Sequence, residues 1–175
     1  MGVLALVDIF NEIYEVIKDA ETVAKAFNIQ PFDIYFLGGS ACILGKYTTR
    51  ATKDIDFIDI GYSASLGKVF AIFKDYDMLE YESTLLSPKF KERAKKINDF
   101  EYLNVYVLSK EDIIVSKVIR LEQKDIEDIN TMIESCDKQL ILSIIDEVIS
   151  RNDLFDSKKQ GFIANLSKFK ELYNV

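Results

Sequence analysis

The sequence contains no histidine. That excludes a Ser–His–Asp relay, a histidine general base and any zinc site built on imidazole. Only two cysteines occur, Cys42 and Cys136, which suits a reduced, cytoplasmic protein better than a disulfide scaffold. No apolar run approaches the roughly 20 residues needed to cross a bilayer, so no membrane partner is expected. The opening MGVLALV meets Asp8 and Glu12 with no basic segment and no cleavage signal, so it does not read as a signal peptide. Positive charge is also short: 22 Lys and Arg against 29 Asp and Glu leave a net charge of −7. A general DNA binder needs a basic surface, and this balance argues against one. A nucleotide arrives with its own cation and is not excluded. Internal repeats and low-complexity segments are absent as well.

What is present is globular: 175 residues, 49% hydrophobic and 12% aromatic, enough for a buried core. The most informative stretch is YFLGGSACILGKYTTRATKDIDFIDI, from Tyr35 to Ile60. Ile34–Leu37 predicts a buried strand. Gly38-Gly39-Ser40 then allows a tight turn and close approach of a ligand. Ala41–Gly45 predicts a short helix with Ser40 at its start, hydroxyl and free N–H groups outward, which is a ready phosphate site. A polar loop with Lys46 and Arg50 leads to a second strand, Asp54–Ile58, beside the first. On it Asp54 and Asp56 share a face with Cα atoms roughly 7 Å apart. Two carboxylates beside a phosphate-binding turn suit a hard divalent cation, Mg²⁺ or Mn²⁺.

Around this centre, Leu4–Phe27 is amphipathic at helical spacing, with a break expected near Asp19-Ala20-Glu21, and Pro31 closes it. Ala64–Phe73 predicts a helix and Tyr81–Leu86 a short strand. A helix starting at Pro88 carries Lys89, Lys91, Arg93, Lys95 and Lys96. This run reads either as a solvated face or as a cradle for RNA phosphates. Leu103–Leu108 alternates as a strand, and Ser109 caps a helix spanning Ile113–Leu121. Lys117 shares the inward side of that helix, so its charge must snorkel to solvent or meet an anion. The Asp54/Asp56 pair and a bound triphosphate are the anions this reading offers. A further helix begins at Lys124-Asp125, and from Gln139 the chain is helical, ending in Lys158–Tyr173 with Ser157 as its cap.

Gly-Gly-Ser-Ala followed by Arg-Ala-Thr-Lys-Asp-Ile-Asp resembles the polymerase-β-type nucleotidyltransferase superfamily, closest to its small bacterial branch of AbiEii-like toxins. By motif order the resemblance runs from Ile34 to Ile129. It implies an α/β (α+β) fold, a small, mixed, twisted sheet flanked by helices within residues 1–109, with a helical part, 110–175, packed on it. It implies that Gly38, Gly39 and Ser40 hold the triphosphate of a nucleoside triphosphate, with Lys46 and Arg50 as further contacts, and that Asp54 and Asp56 hold Mg²⁺. Lys117 and Asp125, with Asp128 as the second acid, match a later motif of the branch and are implied to serve nucleotide and metal. The implied activity is transfer of a nucleoside monophosphate to a hydroxyl, on the 3′ end of a transfer RNA or on a protein side chain. The implied setting is a toxin with a cognate antitoxin. Superfamily enzymes carry a third carboxylate on a later strand, where this chain has Asn104, which cannot act as a base. Glu82 and Glu101 are the substitutes on offer. The alternative is a catalytically degenerate member that binds a nucleotide or a partner without turnover.

Overall fold

The computed structural model describes residues 3–48 and 54–175, with side chains from residue 7 onward. The architecture is mixed α/β, and the chain divides into two compact units. One comprises Met1–Leu79 and Ala94–Val107, the other Glu80–Arg93 and Leu108–Val175.

The first unit runs α1 (Val3–Ala26), β1 (Phe32–Leu37), α2 (Gly38–Leu44), β2 (Asp56–Asp59), α3 (Gly67–Phe70) and β3 (Asp77–Glu80). The one-turn helix α4 (Phe90–Arg93) belongs to the second unit, after which the chain returns to the first as β4 (Lys95–Ile97) and β5 (Leu103–Val107). Among the described residues the sheet has five strands in the order β3-β2-β1-β5-β4. Central β1 is antiparallel to β2, with Phe36 opposite Phe57 and Leu37 opposite Asp56. On its other side β1 is parallel to β5, from Phe32 opposite Leu103 to Phe36 opposite Val107.

Period-two alternation sorts β1 into two faces. On one, Phe36 meets Phe57 and Phe73 with ring centroids 5.3–6.4 Å apart, an aromatic core. On the other, Tyr35 stacks on its register partner Tyr106 at 4.8 Å. In α1, Ile13, Ile17, Ala20 and Ala24 form one buried stripe at helical spacing. The expected break at Asp19-Ala20-Glu21 is absent because Ala20 lies on that stripe. Glu21 has a task of its own: its carboxylate accepts the N–H groups of Glu101, Tyr102 and Leu103 at 2.6, 2.8 and 2.8 Å, tying the start of β5 to α1.

The second unit holds α4 with α5 (Lys110–Lys117), α6 (Gln123–Met132), α7 (Lys138–Ile149) and α8 (Asp156–Tyr173). Ser109 caps α5 as its spacing predicts, accepting the N–H of Asp112 at 3.1 Å. Residues 80–93 group with the C-terminal helices. Arg151 explains why. Its buried guanidinium donates to the carbonyls of Tyr81, Thr84 and Leu86, and it lies 3.8 Å over the Tyr81 ring.

Several other expectations are corrected here. The strand expected at Tyr81–Leu86 is β3, four residues earlier, followed by a 3-10 turn at Tyr81–Ser83. Ala64–Phe73 is one α-turn flanked by two 3-10 turns. The basic helix at 88–96 does not exist as one element. Lys91 and Arg93 sit on α4, and Lys95 and Lys96 lie on the edge strand β4, where lysine discourages further strand pairing. The α5 helix ends at Lys117, short of Leu121, which has a positive φ of 46°. Finally, α8 starts at Asp156 with Phe155 in the cap position, so Ser157 lies within its first turn. No helix among the described residues is long and apolar enough to cross a membrane.

Candidate functional site

The corner from β1 through α2 to β2 collects most of the residues singled out by the sequence. Here β1 passes into α2 with no intervening loop, which requires the left-handed backbone of Gly38 at φ +62°. The missing side chain matters as much as the φ. A Cβ on Gly38 would stand 2.5 Å from Oδ2 of Asp56, so the Asp56 carboxylate occupies the space that glycine leaves. Asp54 lies just before β2 and is exposed, while Asp56 opens the strand half-buried.

Ser40 departs from expectation. Its side chain is fully buried and not turned outward. The hydroxyl donates to the Leu37 carbonyl at 2.9 Å and accepts the Asp56 N–H at 3.3 Å, with the Asp56 carbonyl also at 3.3 Å. Lys46 follows the far end of α2, exposed and with φ +57°, so it stands roughly 12 Å along the helix axis from Gly38. Arg50 lies outside the described residues.

Among the described residues no group of three or more acids, cysteines or histidines is placed to hold a metal ion. Asn104 sits opposite Asp33, four residues before Leu37 and so roughly 13 Å down β1 from the Asp56 register. There it donates to Asp33 at 2.9 Å and accepts from Lys96 at 2.8 Å. Glu82 is in the 3-10 turn of the second unit, and Glu101 lies in the segment before β5 that Glu21 holds. On the β3 side, the N–H of Asp77 donates to the Ile55 carbonyl at 3.0 Å.

Two carboxylates with half-exposed to exposed positions suit Mg²⁺ or Mn²⁺, which take one or two protein carboxylates and complete their shell with water and phosphate oxygens. The residue types present suit such an ion, and Asp54 and Asp56 would hold it.

Lys117 and Asp125 belong to the second unit and form a cluster of their own. Lys117, almost fully buried, reaches Asp128 at 2.8 Å and Asp125 at 3.4 Å. Asp125 is fully buried, and it also accepts from Arg120 at 2.9 Å and from the N–H of Glu122 at 3.3 Å, closing a capping box at the start of α6. The anions that meet Lys117 are thus two acids of α6, not the Asp54/Asp56 pair that the sequence reading offered. Arg120 escaped that reading, although its position five residues before Asp125 was the available signal.

A second ionic network in this unit was also missed. Arg93 binds Asp112 through two bonds of 2.9 and 2.8 Å, and Glu147 receives Ser87 Oγ and Lys89, the latter at 2.9 Å. Partial burial raises the Glu147 pKa, but hydrogen bonds from Ser87 and Lys89 and the charges of Lys89 and Arg93 outweigh it and hold the carboxyl below its usual range. In the first unit, burial and then the neighbouring Asp33 push the Tyr35 hydroxyl up to about 12, so it stays protonated at neutral pH.

No curated protein and no solved structure matches the chain. Residues 5–173 match the model of the family described as "Nucleotidyltransferase of unknown function (DUF6036)", and this chain belongs to that family.

Proposed function

We propose that the protein is a Mg²⁺- or Mn²⁺-dependent nucleotidyltransferase that moves a nucleoside monophosphate from a nucleoside triphosphate to a hydroxyl acceptor. The observation that carries this reading is the Asp56 carboxylate lying in the space left by Gly38, at the turn where β1 enters α2, with Asp54 exposed two residues before it. Asp54 and Asp56 hold the metal. Gly39, without a side chain, lets the triphosphate approach the backbone closely enough to reach it. When bound, the ion supplies positive charge against the negative charge that builds on the α-phosphate. The acceptor is an RNA 3′ end or a protein hydroxyl, and the order of motifs from Gly38 to Asp125 supports a toxin of a toxin–antitoxin pair.

The test is incubation with each labelled nucleoside triphosphate, Mg²⁺ or Mn²⁺, and either total RNA or lysate protein, beside Asp54→Asn/Asp56→Asn. Label transfer by the wild type alone is expected. One observation favours a second reading: no three-acid cluster occurs among the described residues, as in a member that binds nucleotide without turnover. Metal-dependent nucleotide binding with no transfer to either acceptor would select that reading. Absence of both binding and transfer would sink the two together.

A further inference from the structure

We propose that Ser40 is a positioning residue for Asp56 and that its hydroxyl does not hold the nucleotide's phosphates. The inference rests on the nucleotidyltransferase reading of the same corner. A serine hydroxyl has one proton to give, and a phosphate oxygen can only accept. In Ser40 that proton is directed at the Leu37 carbonyl, 2.9 Å away, with the Asp56 carbonyl at 3.3 Å as the other acceptor in reach. One oxygen lone pair receives the Asp56 N–H. The side chain has no exposed surface from which to meet a ligand.

Its two partners are not arbitrary. Leu37 and Asp56 are opposite each other in the β1–β2 ladder, at the end where β1 turns into α2. Ser40 therefore fastens both sides of that rung from the first turn of α2. Gly38 leaves the room for the Asp56 carboxylate, and Ser40 fixes the main chain from which that carboxylate projects. The serine acts on the metal through Asp56, and the phosphates have no direct part in it. Groups that orient a metal-holding carboxylate in this way typically alter metal affinity on the order of 10–100-fold when removed.

The experiment is calorimetric titration of Mn²⁺ into the full-length, nucleotide-free protein, wild type against Ser40→Ala. Mn²⁺ binding at least about tenfold weaker is expected in the variant. The KM for nucleoside triphosphate, measured at saturating Mn²⁺, is expected to stay within about twofold, since no phosphate contact has been lost. Unchanged Mn²⁺ affinity with a raised KM would overturn the inference and return the hydroxyl to the phosphates. Should Ser40→Ala not fold, Ser40→Cys, whose thiol donates and accepts only weakly, takes its place, and wild-type Mn²⁺ affinity with a raised KM for nucleoside triphosphate there would equally overturn it. A wild type that binds no Mn²⁺ would instead remove the metal reading from which the inference starts.

Discussion

Two acid pairs, one in each unit, show how burial decides what a carboxylate can do. Asp125 and Asp128, three residues apart on α6, are both buried, and the chain supplies their counter-charges in Lys117 and Arg120. Asp54 and Asp56, two residues apart at the start of β2, lie exposed and half-buried beside a glycine turn. A buried carboxylate must be matched by charge and hydrogen bonds within the fold, or it would not stay ionised. An acid at the surface can leave part of its coordination to an ion and water. The same residue type is therefore part of the scaffold in one unit and a candidate metal holder in the other.

The comparison breaks most visibly at Lys117. Lys117→Met leaves Asp125 and Asp128 without their central cation, and loss of one partner of a buried ion cluster costs about 3–5 kcal/mol. Denaturant melts should show that loss, and adding Asp125→Asn and Asp128→Asn should recover most of it. A Lys117→Met protein of wild-type stability would mean the cluster is not neutralised as described.

Gly38→Ala comes next. Left-handed backbone with a Cβ costs roughly 1–2 kcal/mol, and the new carbon would press on the Asp56 oxygen. Thermal unfolding should drop accordingly, together with most of any stabilisation by Mn²⁺ and nucleoside triphosphate. Asp54→Asn/Asp56→Asn should behave in the opposite sense to Lys117→Met. Metal-free stability is expected to change by less than about 0.5 kcal/mol. The rise in melting temperature that Mn²⁺ and nucleoside triphosphate give the wild type by mass action should vanish. An equal rise in the two proteins would put the ion elsewhere.

The smallest effect tests the second unit's ionic frame by pH. Glu147 has a folded pKa below its usual 4.5, so its contribution is present above that value and fades as pH falls through the lower folded one. Wild type should exceed Glu147→Gln by less than about 1 kcal/mol near pH 6, with the gap closing below about pH 4.5. A constant gap across acid melts would assign Glu147 no titrating role.

Much of the corner was legible because its signals are local. The apolar run of β1, the Gly-Gly turn and the acid alternation each act within a few residues, and β1 and β2 do lie side by side. The Ser109 cap was legible for the same reason. The direction of the Ser40 side chain was not, because its partner Asp56 is sixteen residues away and contact, not propensity, turns the hydroxyl inward. The fate of the basic run was equally hidden. Pairing with β5 makes Lys95–Ile97 a strand, while Glu147 and Asp112 draw Lys89 and Arg93 into the second unit. Lys117 was read as having either to snorkel to solvent or to meet an anion, and helical spacing alone could not say that α6 would provide one.

The central place of β1 also sets an order of assembly. Its partner β2 follows across a short connection, whereas the parallel contact of Asp33 with Asn104 spans 71 positions of chain. Closing the longer loop costs more entropy, and contacts of that separation form late. Glu21, clamping residues some 80 positions onward, adds a latch that can engage only when β5 arrives. During refolding, pulsed hydrogen exchange should protect the Phe57 amide before that of Val105. The corner with the two aspartates forms first, and the sheet closes around it.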